Sequence, residues 1–490
     1  MNSQPPSTAV NQTQEKILKN TSYLTIAFVL QKVLSFIYFI LIARSLGPVD
    51  LGFYDPAKSL IPILLILIDF SLSVVLVREI ARTPEKTEEF LGNIISIKAI
   101  FAFFVILAMG LYTNFSHHST LIKTVLYLDA IIVVLDTFTL TFFAVFRGQQ
   151  NMRFEALGMI GTQILTMSFG LISLKFHWGL PALFVAVGCG SIFNFIFSLL
   201  MLRIKAKIRL RPRWNASVLK MLLVTALPFA ISAMFTKMYT YTDRYMLLWF
   251  AGQKYVGWYV TANKMTYAFE FLPSAFSASI FPAMSAFYLT SKIELAKTFE
   301  KAIRYLIILA IPMSLGIFAL ADNIILKIYG PDFITAAVPL RIMISGLLVV
   351  FLNFPVGAFL NACNRQTTNT INMIITVVIN ISLNLLLIKK YTFNGAAFSA
   401  LVSGIILFFL GLYWVGKIAP YDKAGLLKML GKALISGSIM MACLWLIKDQ
   451  VSLFVSIPAG MLIYALAIFA VKGITKSDVF VLTHIFSKKI

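Results

Sequence analysis

Charge is scarce in this sequence. Only 13% of its 490 residues are Asp, Glu, Lys or Arg, against roughly 25% in an ordinary soluble domain. That excludes a soluble globular enzyme and a disordered chain. Acidic residues are scarcest, 20 against 42 basic ones, which leaves a net charge of +22. There are three cysteines, Cys189, Cys363 and Cys443, each inside an apolar run, so neither a disulfide framework nor a C-x-x-C metal site is expected. The four histidines (His117, His118, His177 and His484) have no partners at metal-ligand spacing. No metal and no cofactor are expected. The polar residues 1–20, read as a disordered tail, lack the apolar region and small-residue cleavage site of a signal peptide, so the first apolar segment is expected to stay in the mature protein. No phosphate-binding loop, G-x-S-x-G or dinucleotide fingerprint occurs, and no loop exceeds about 20 residues. The chain is therefore not expected to be an enzyme, nor an ATP-driven pump without a separate energy-supplying subunit.

Apolar residues make up 59% of the chain. At roughly 20 residues per crossing, that is material for about fourteen transmembrane helices. The runs fall at 21–43, 59–77, 92–113, 121–146, 156–174 and 180–202, then 218–249, 256–284, 302–321, 333–360, 367–388 and 394–416, and finally 426–447 and 451–471. They are continuous rather than alternating, which excludes a membrane β-barrel. The fold class expected is an all-α polytopic membrane protein. Lys and Arg in the loops and at the ends of the runs are far more numerous on the side of the N-terminus than on the other. By the positive-inside rule both termini are cytoplasmic and the excess of positive charge is topological, so no nucleic-acid partner is expected. The densest cluster, Arg203 to Lys220, reads as a topology anchor or as a site for anionic lipid head groups.

The chain also repeats itself. Gly47-Pro-Val-Asp-Leu-Gly52-Phe-Tyr54-Asp-Pro-Ala57 matches Gly252-Gln-Lys-Tyr-Val-Gly257-Trp-Tyr259-Val-Thr-Ala262 at an offset of 205 residues. Gln150, Gly179 and Gly188 match Gln366, Gly395 and Gly404 at an offset of 216. Six runs per copy is an even number, so the two copies enter the membrane in the same direction, as parallel repeats do around a substrate site. The domains expected are a cytoplasmic tail at 1–20, a six-helix bundle at 21–203, a basic cytoplasmic linker at 204–217, a second six-helix bundle at 218–416, and two additional helices with a cytoplasmic tail at 417–490. Two bundles around one cavity suit a transporter rather than a pore.

A charged side chain at the centre of a membrane helix costs about 2.5–3.5 kcal/mol on insertion scales, so such residues should face a wet cavity or a partner. The basic candidates are Lys32, Lys58, Lys237, Arg244 and Lys264. They all lie on runs 1, 2, 7 and 8, which are equivalent pairs under the repeat. A cavity lined this way suits an anion such as phosphate or pyrophosphate. Lys58 can instead snorkel to a surface, and the adjacent Asp243 and Arg244 can pair with neighbouring helices. The acidic candidates Asp69, Asp129, Asp136, Asp243 and Glu270 can neutralise these cations or bind a coupling ion, Na⁺ or H⁺. Arg78 lies in a mixed-charge stretch that reads as a solvated loop or a gating salt bridge. Asn380 and Asn384 are one turn apart and suit hydrogen bonds between helices.

These residues carry a resemblance. Ala43-Arg-Ser-Leu-Gly47-Pro-x-x-x-Gly52-x-Tyr54, Asp69-Phe-Ser-Leu and Arg78-Glu79-Ile-Ala-Arg82 resemble the N-terminal half of the polysaccharide flippases of the MOP exporter superfamily, relatives of the lipid II flippases and the MATE exporters. The second half is similar too, in Asp243-Arg-Tyr-Met-Leu, Val256-Gly257-x-Tyr259-x-x-Ala262-x-Lys264, Tyr329-Gly330-Pro-x-Phe333, Asn361-Ala-x-Asn-Arg365 and Asn380-x-x-x-Asn384. The resemblance implies a V-shaped pair of bundles that work by alternating access. Its cargo would be a polyprenyl-pyrophosphate-linked oligosaccharide, moved from the cytoplasmic to the external leaflet of the plasma membrane. The five basic candidates would hold the pyrophosphate, and the other partners would be membrane lipids and polysaccharide-assembly proteins. A MATE-type exporter of organic cations is the alternative. It should carry acidic and aromatic rather than basic residues in its cavity.

Overall fold

A computed structural model of the chain describes residues 7–115 and 119–473. The described residues form sixteen α-helices and no strand. These are α1 (Ser7–Asp69), α2 (Leu72–Arg82), α3 (Thr87–Phe115), α4 (Thr120–Gly148), α5 (Arg153–Lys175), α6 (Leu180–Ile204), α7 (Ala216–Phe250) and α8 (Gln253–Tyr267). They continue with α9 (Phe271–Thr290), α10 (Lys292–Ala319), α11 (Ala321–Ile328), α12 (Ala337–Ser345), α13 (Leu347–Ala362), α14 (Gln366–Ile418), α15 (Lys423–Ile447) and α16 (Leu453–Ala470). Residues 7–20 differ from the disordered tail expected of them. They are the first turns of α1, and no Gly or Pro between Ser7 and Asn20 interrupts the helix. The remainder of that tail, residues 1–6, and the end of the C-terminal tail, residues 474–490, lie outside the described residues.

Among the described residues, eleven helices are long and apolar enough to cross a membrane, or twelve when the bent pair Pro331–Ser345 and Leu347–Ala362 is taken as one. The sequence expectation was about fourteen. Two of the counted helices are each a pair joined at a break, α1 at Gly47 and α14 at Thr392, and each pair is counted once. The protein is a multi-pass membrane protein.

The repeat is written into the backbone. Gly47 (φ 70°, ψ 177°) and its match Gly252 (φ 96°, ψ 173°) both start a helix from a conformation that is essentially open to glycine alone. The second matched segment agrees to within two residues. Gln150 and Asn364, 214 apart, have φ of 55° and 57°, and His177 and Thr392, 215 apart, have φ of 54° and 51°. A Cβ at Gly252 would meet nothing within 4 Å, so Gly252→Ala carries only the conformational cost. That substitution should destabilise the protein by about 1–3 kcal/mol, read as a lower melting temperature in detergent.

The second glycine of each motif has a different duty. A Cβ at Gly52 would overlap the Gln253 carbonyl oxygen, and one at Gly257 would overlap the Pro48 carbonyl oxygen. Neither has a positive φ. Here glycine allows two backbones to cross.

The chain divides into two compact units. The first is Met1–Leu46 with Phe53–Tyr241, and the second is Gly47–Gly52 with Thr242–Ile490. In the first, α2, α3, α4 and α6 enclose Leu72, Leu76, Phe90, Ile94, Phe142, Phe146, Leu202 and Leu222. In the second, α10 packs on α13 and α15, where Phe299 and Phe359 meet edge to face at 5.2 Å.

Candidate functional site

The five basic candidates divide between the units, three in the first and two in the second. In the first, Lys32 is exposed on α1 and sits 5.3 Å from the Phe28 ring. Lys237, on α7, is half-buried and lies within the field of Lys32. Helix α1 and helix α7 thus bring two like charges into each other's field, an arrangement that an anion between them would relieve. Lys58 is half-buried on the second half of α1. Its ammonium donates to the Tyr54 hydroxyl at 3.4 Å and lies over that ring, and Tyr54 itself is buried against Phe184.

In the second unit Arg244 is buried near the end of α7 and donates to Asn263 Oδ1 on α8 at 3.1 Å. Lys264 is the next residue along α8 and is half-buried. Asn263 and Lys264 follow the repeated Gly-Gly-Tyr-Ala motif, so the turn that begins at Gly252 fixes where both side chains emerge. Between α9 and α13 a cleft is lined by Ser277, Phe281, Asn353, Gly357 and Asn361. Its neutral amides and hydroxyl offer the hydrogen-bonding chemistry of sugar hydroxyls rather than of phosphate.

The acidic candidates fall into distinct environments. Asp69 ends α1, just before the break at Phe70 and Ser71, both at positive φ. It accepts from Ser73 on α2 and pairs with the fully buried Lys98 of α3. Lys98 also donates to the Thr141 hydroxyl, to Ser73 at 3.0 Å and to the Thr137 carbonyl at 3.4 Å. One ammonium therefore ties together α1, α2, α3 and α4 where the helix is broken. Lys98 was not among the residues that the sequence singled out, although it is a lysine in the middle of an apolar run (Ile94 to Phe104) and that signal was available.

Asp243 forms the corresponding network of the second unit. It accepts from Tyr259 on α8 at 2.7 Å and from Asn384 on α14 at 2.6 Å, and Asn384 also donates to Asn380 at 3.1 Å. Tyr259 is the tyrosine of the repeated motif, so a motif residue holds the buried acid. Asp136 accepts from Ser191 on α6. Glu270 is half-buried at the junction of α8 and α9. Arg78 is exposed near the end of α2 and lies 3.2 Å from its neighbour Glu79, which Arg82 approaches at 3.7 Å. Asp129 has no such partners. It is completely buried on α4, with neither carboxyl oxygen hydrogen-bonded.

Comparison with known proteins places this arrangement. Residues 17–288, more than half of the chain, match the family described as polysaccharide biosynthesis protein. The chain belongs to that family. Residues 260–470 match the family described as lipid II flippase MurJ. A probable low-salt glycan biosynthesis flippase, Agl15, of Haloferax volcanii is 23% identical over 91% of this chain and 94% of its own. Among solved structures, the lipid II flippase MurJ in an inward closed conformation superposes with a TM-score of 0.74 at 17% identity, over 93% of this chain and 99% of its own. An inward-facing MATE family transporter of the MOP superfamily gives a TM-score of 0.64 at 15% identity, over 81% and 96%. The family member described here thus shares the MOP superfamily fold with lipid flippases and drug exporters alike. The fold by itself does not choose a cargo.

Proposed function

We propose that this protein is a flippase that moves a polyprenyl-(pyro)phosphate-linked oligosaccharide from the cytoplasmic to the external leaflet by alternating access, for cell-surface polysaccharide biosynthesis. The observation that carries the reading is the set of cations on membrane helices of both units. Lys32, Lys58 and Lys237 lie in the first and Arg244 and Lys264 in the second. Lysines recognise phosphate as point charges and arginine as a fork, whereas a carrier of organic cations would gain nothing from placing five positive charges on its spans. The relatives named as glycan and lipid II flippases support the same cargo class.

On this reading the polyprenyl tail stays in lipid and the sugar travels among neutral polar groups. The chain needs no catalytic residue. Both termini are cytoplasmic and the membrane is the plasma membrane. The two bundles at 21–203 and 218–416, joined by the basic linker at 204–217, do the moving. A substrate with about two negative charges gains roughly 4–5 kcal/mol in leaving a cell held at 100 mV inside-negative, at about 2.3 kcal/mol per charge. A coupling ion, Na⁺ or H⁺, would add to that only if it moved inward in exchange.

The experiment is mass spectrometry of lipids from source cells lacking the gene, with leaflets distinguished by a glycosidase that cannot cross the membrane. Accumulation of protected, inward-facing polyprenyl-linked oligosaccharide is the expected result. An unchanged lipid pool with new sensitivity to cationic compounds would overturn the reading in favour of a drug exporter.

A further inference from the structure

Asp129 differs from every other buried acid described above. Asp69 is held by Lys98 and Ser73, Asp243 by Tyr259 and Asn384, and Asp136 by Ser191. Asp129 is wholly buried and both of its oxygens lack a hydrogen-bond partner. An ionised carboxylate removed from water is tolerated only with a partner, and without one it takes up a proton instead.

The groups around it narrow what it can do. Among the described residues, Lys58 of α1 is the charge whose field reaches Asp129. The Lys58 ammonium bonds to the Tyr54 hydroxyl rather than to the carboxyl. Tyr54 in turn lies in the fields of Asp129 and of Asp55, its own neighbour on α1. Lys123 of α4 lies six residues before Asp129, Arg153 and Lys175 stand at the two ends of α5 and Arg203 near the end of α6. Lys98 of α3 is paired with Asp69, Glu155 of α5 lies 3.2 Å from Arg147 at the far end of α4, and the charges of α2 are Arg78, Glu79 and Arg82 near its end. Asp136, on α4 itself, is two turns further along and bound to Ser191 of α6.

We propose that Asp129 is a proton-binding site of the first unit, filled when an anionic substrate group occupies Lys58 and emptied when Lys58 is left as its counter-charge. The inference rests on the reading of Lys58 as a phosphate ligand. Asp129 and the substrate anion compete for one cation. An anion on Lys58 cancels the field that lets Asp129 ionise, so a proton enters from water as the anion binds. Linkage makes the effect reciprocal, and a proton on Asp129 tightens anion binding by the same factor. Each substrate phosphate bound by the first unit would therefore be accompanied by one proton, whose outward passage offsets about 2.3 kcal/mol of the electrical gain per 100 mV.

Dicyclohexylcarbodiimide tests this directly, because it is membrane-soluble and modifies protonated carboxyls but not carboxylates. The full-length protein, reconstituted in vesicles, is treated across a pH series and mapped by peptide mass spectrometry. With inorganic pyrophosphate present, Asp129 should be modified at neutral pH and lose that reactivity as pH rises, while Asp69, ion-paired with Lys98, stays unmodified in the same sample. Inorganic pyrophosphate should increase labelling of the wild type and not of Lys58→Met. At alkaline pH the Lys58→Met protein should label more strongly than wild type, because the carboxylate has lost its counter-charge. Lys58→Arg, which keeps the charge, should restore the wild-type profile and guards against a folding defect in the methionine variant. An Asp129 that stays unmodified at neutral pH even with pyrophosphate present would overturn the proton site. Labelling indifferent to Lys58→Met or to pyrophosphate would overturn its link to the anion. The proton is read without any transport assay, so either failure is separate from a failure of the flippase reading.

Discussion

Lys98→Met is expected to cost about 3–5 kcal/mol of stability, the penalty for removing one member of a buried ion pair. The substitution leaves the Asp69 carboxylate buried without its counter-charge, and Ser73, Thr141 and the Thr137 carbonyl lose a shared donor. All of this falls where the backbone turns through two positive-φ residues, Phe70 and Ser71. Thermal unfolding of the detergent-solubilised protein, followed by loss of monodisperse elution, measures it. The double variant Asp69→Leu with Lys98→Met should recover most of the loss, because an apolar pair of similar volume needs no compensation. A single variant that melts with the wild type would mean that the network is wet and its charges individually solvated.

The second large effect concerns transport rather than folding. Lys264→Glu should lower flipping by about a hundredfold or more while the protein still inserts and elutes normally. A hydrogen bond to a charged group contributes about 1.5–3 kcal/mol, the upper end of which is a factor of about a hundred, and reversal adds repulsion to that loss. Lys264 is half-buried next to Asn263, the partner of Arg244, so the added carboxylate would also draw the Arg244 guanidinium away from its phosphate. Lys264→Arg should keep most of the activity. The readout is protection of labelled lipid-linked oligosaccharide in cells expressing each variant, and normal flipping by the glutamate variant would remove Lys264 from the binding set.

Much of this architecture was legible from the sequence because a bilayer imposes length and polarity on every helix that crosses it. Continuous apolar runs marked the helices, and the motif Gly47 to Ala57 and its match at 252–262 revealed the duplication. The two glycines of the motif looked alike in sequence but have different physical duties, one conformational and one steric, and only geometry separates them. The acidic candidates were recognisable as a class and not as individuals. Whether an aspartate is satisfied depends on residues far along the chain. Asn384 lies 141 positions from Asp243, and Lys98 lies 29 from Asp69. Lys98 was marked in the sequence by its apolar surroundings alone, since it lies outside the helix pairs that the repeat links to the basic candidates. The breaks at Gly47 and Thr392 separate apolar runs in the sequence, but they join helix to helix without an intervening loop, so each pair counts as one helix in the structure.

The crossing of Gly52 with Gln253 and of Gly257 with Pro48 bears on dissection of the molecule. Six residues from early in the chain, Gly47–Gly52, belong to the second unit rather than the first. A fragment beginning at Thr242 would lack the carbonyl that covers Gly257, and one ending at Tyr241 would present Pro48 and Gly52 with no seat. Neither half is a self-sufficient product of the ancestral duplication. Split versions of the gene should function only when both pieces are made together, and neither glycine should accept a larger residue.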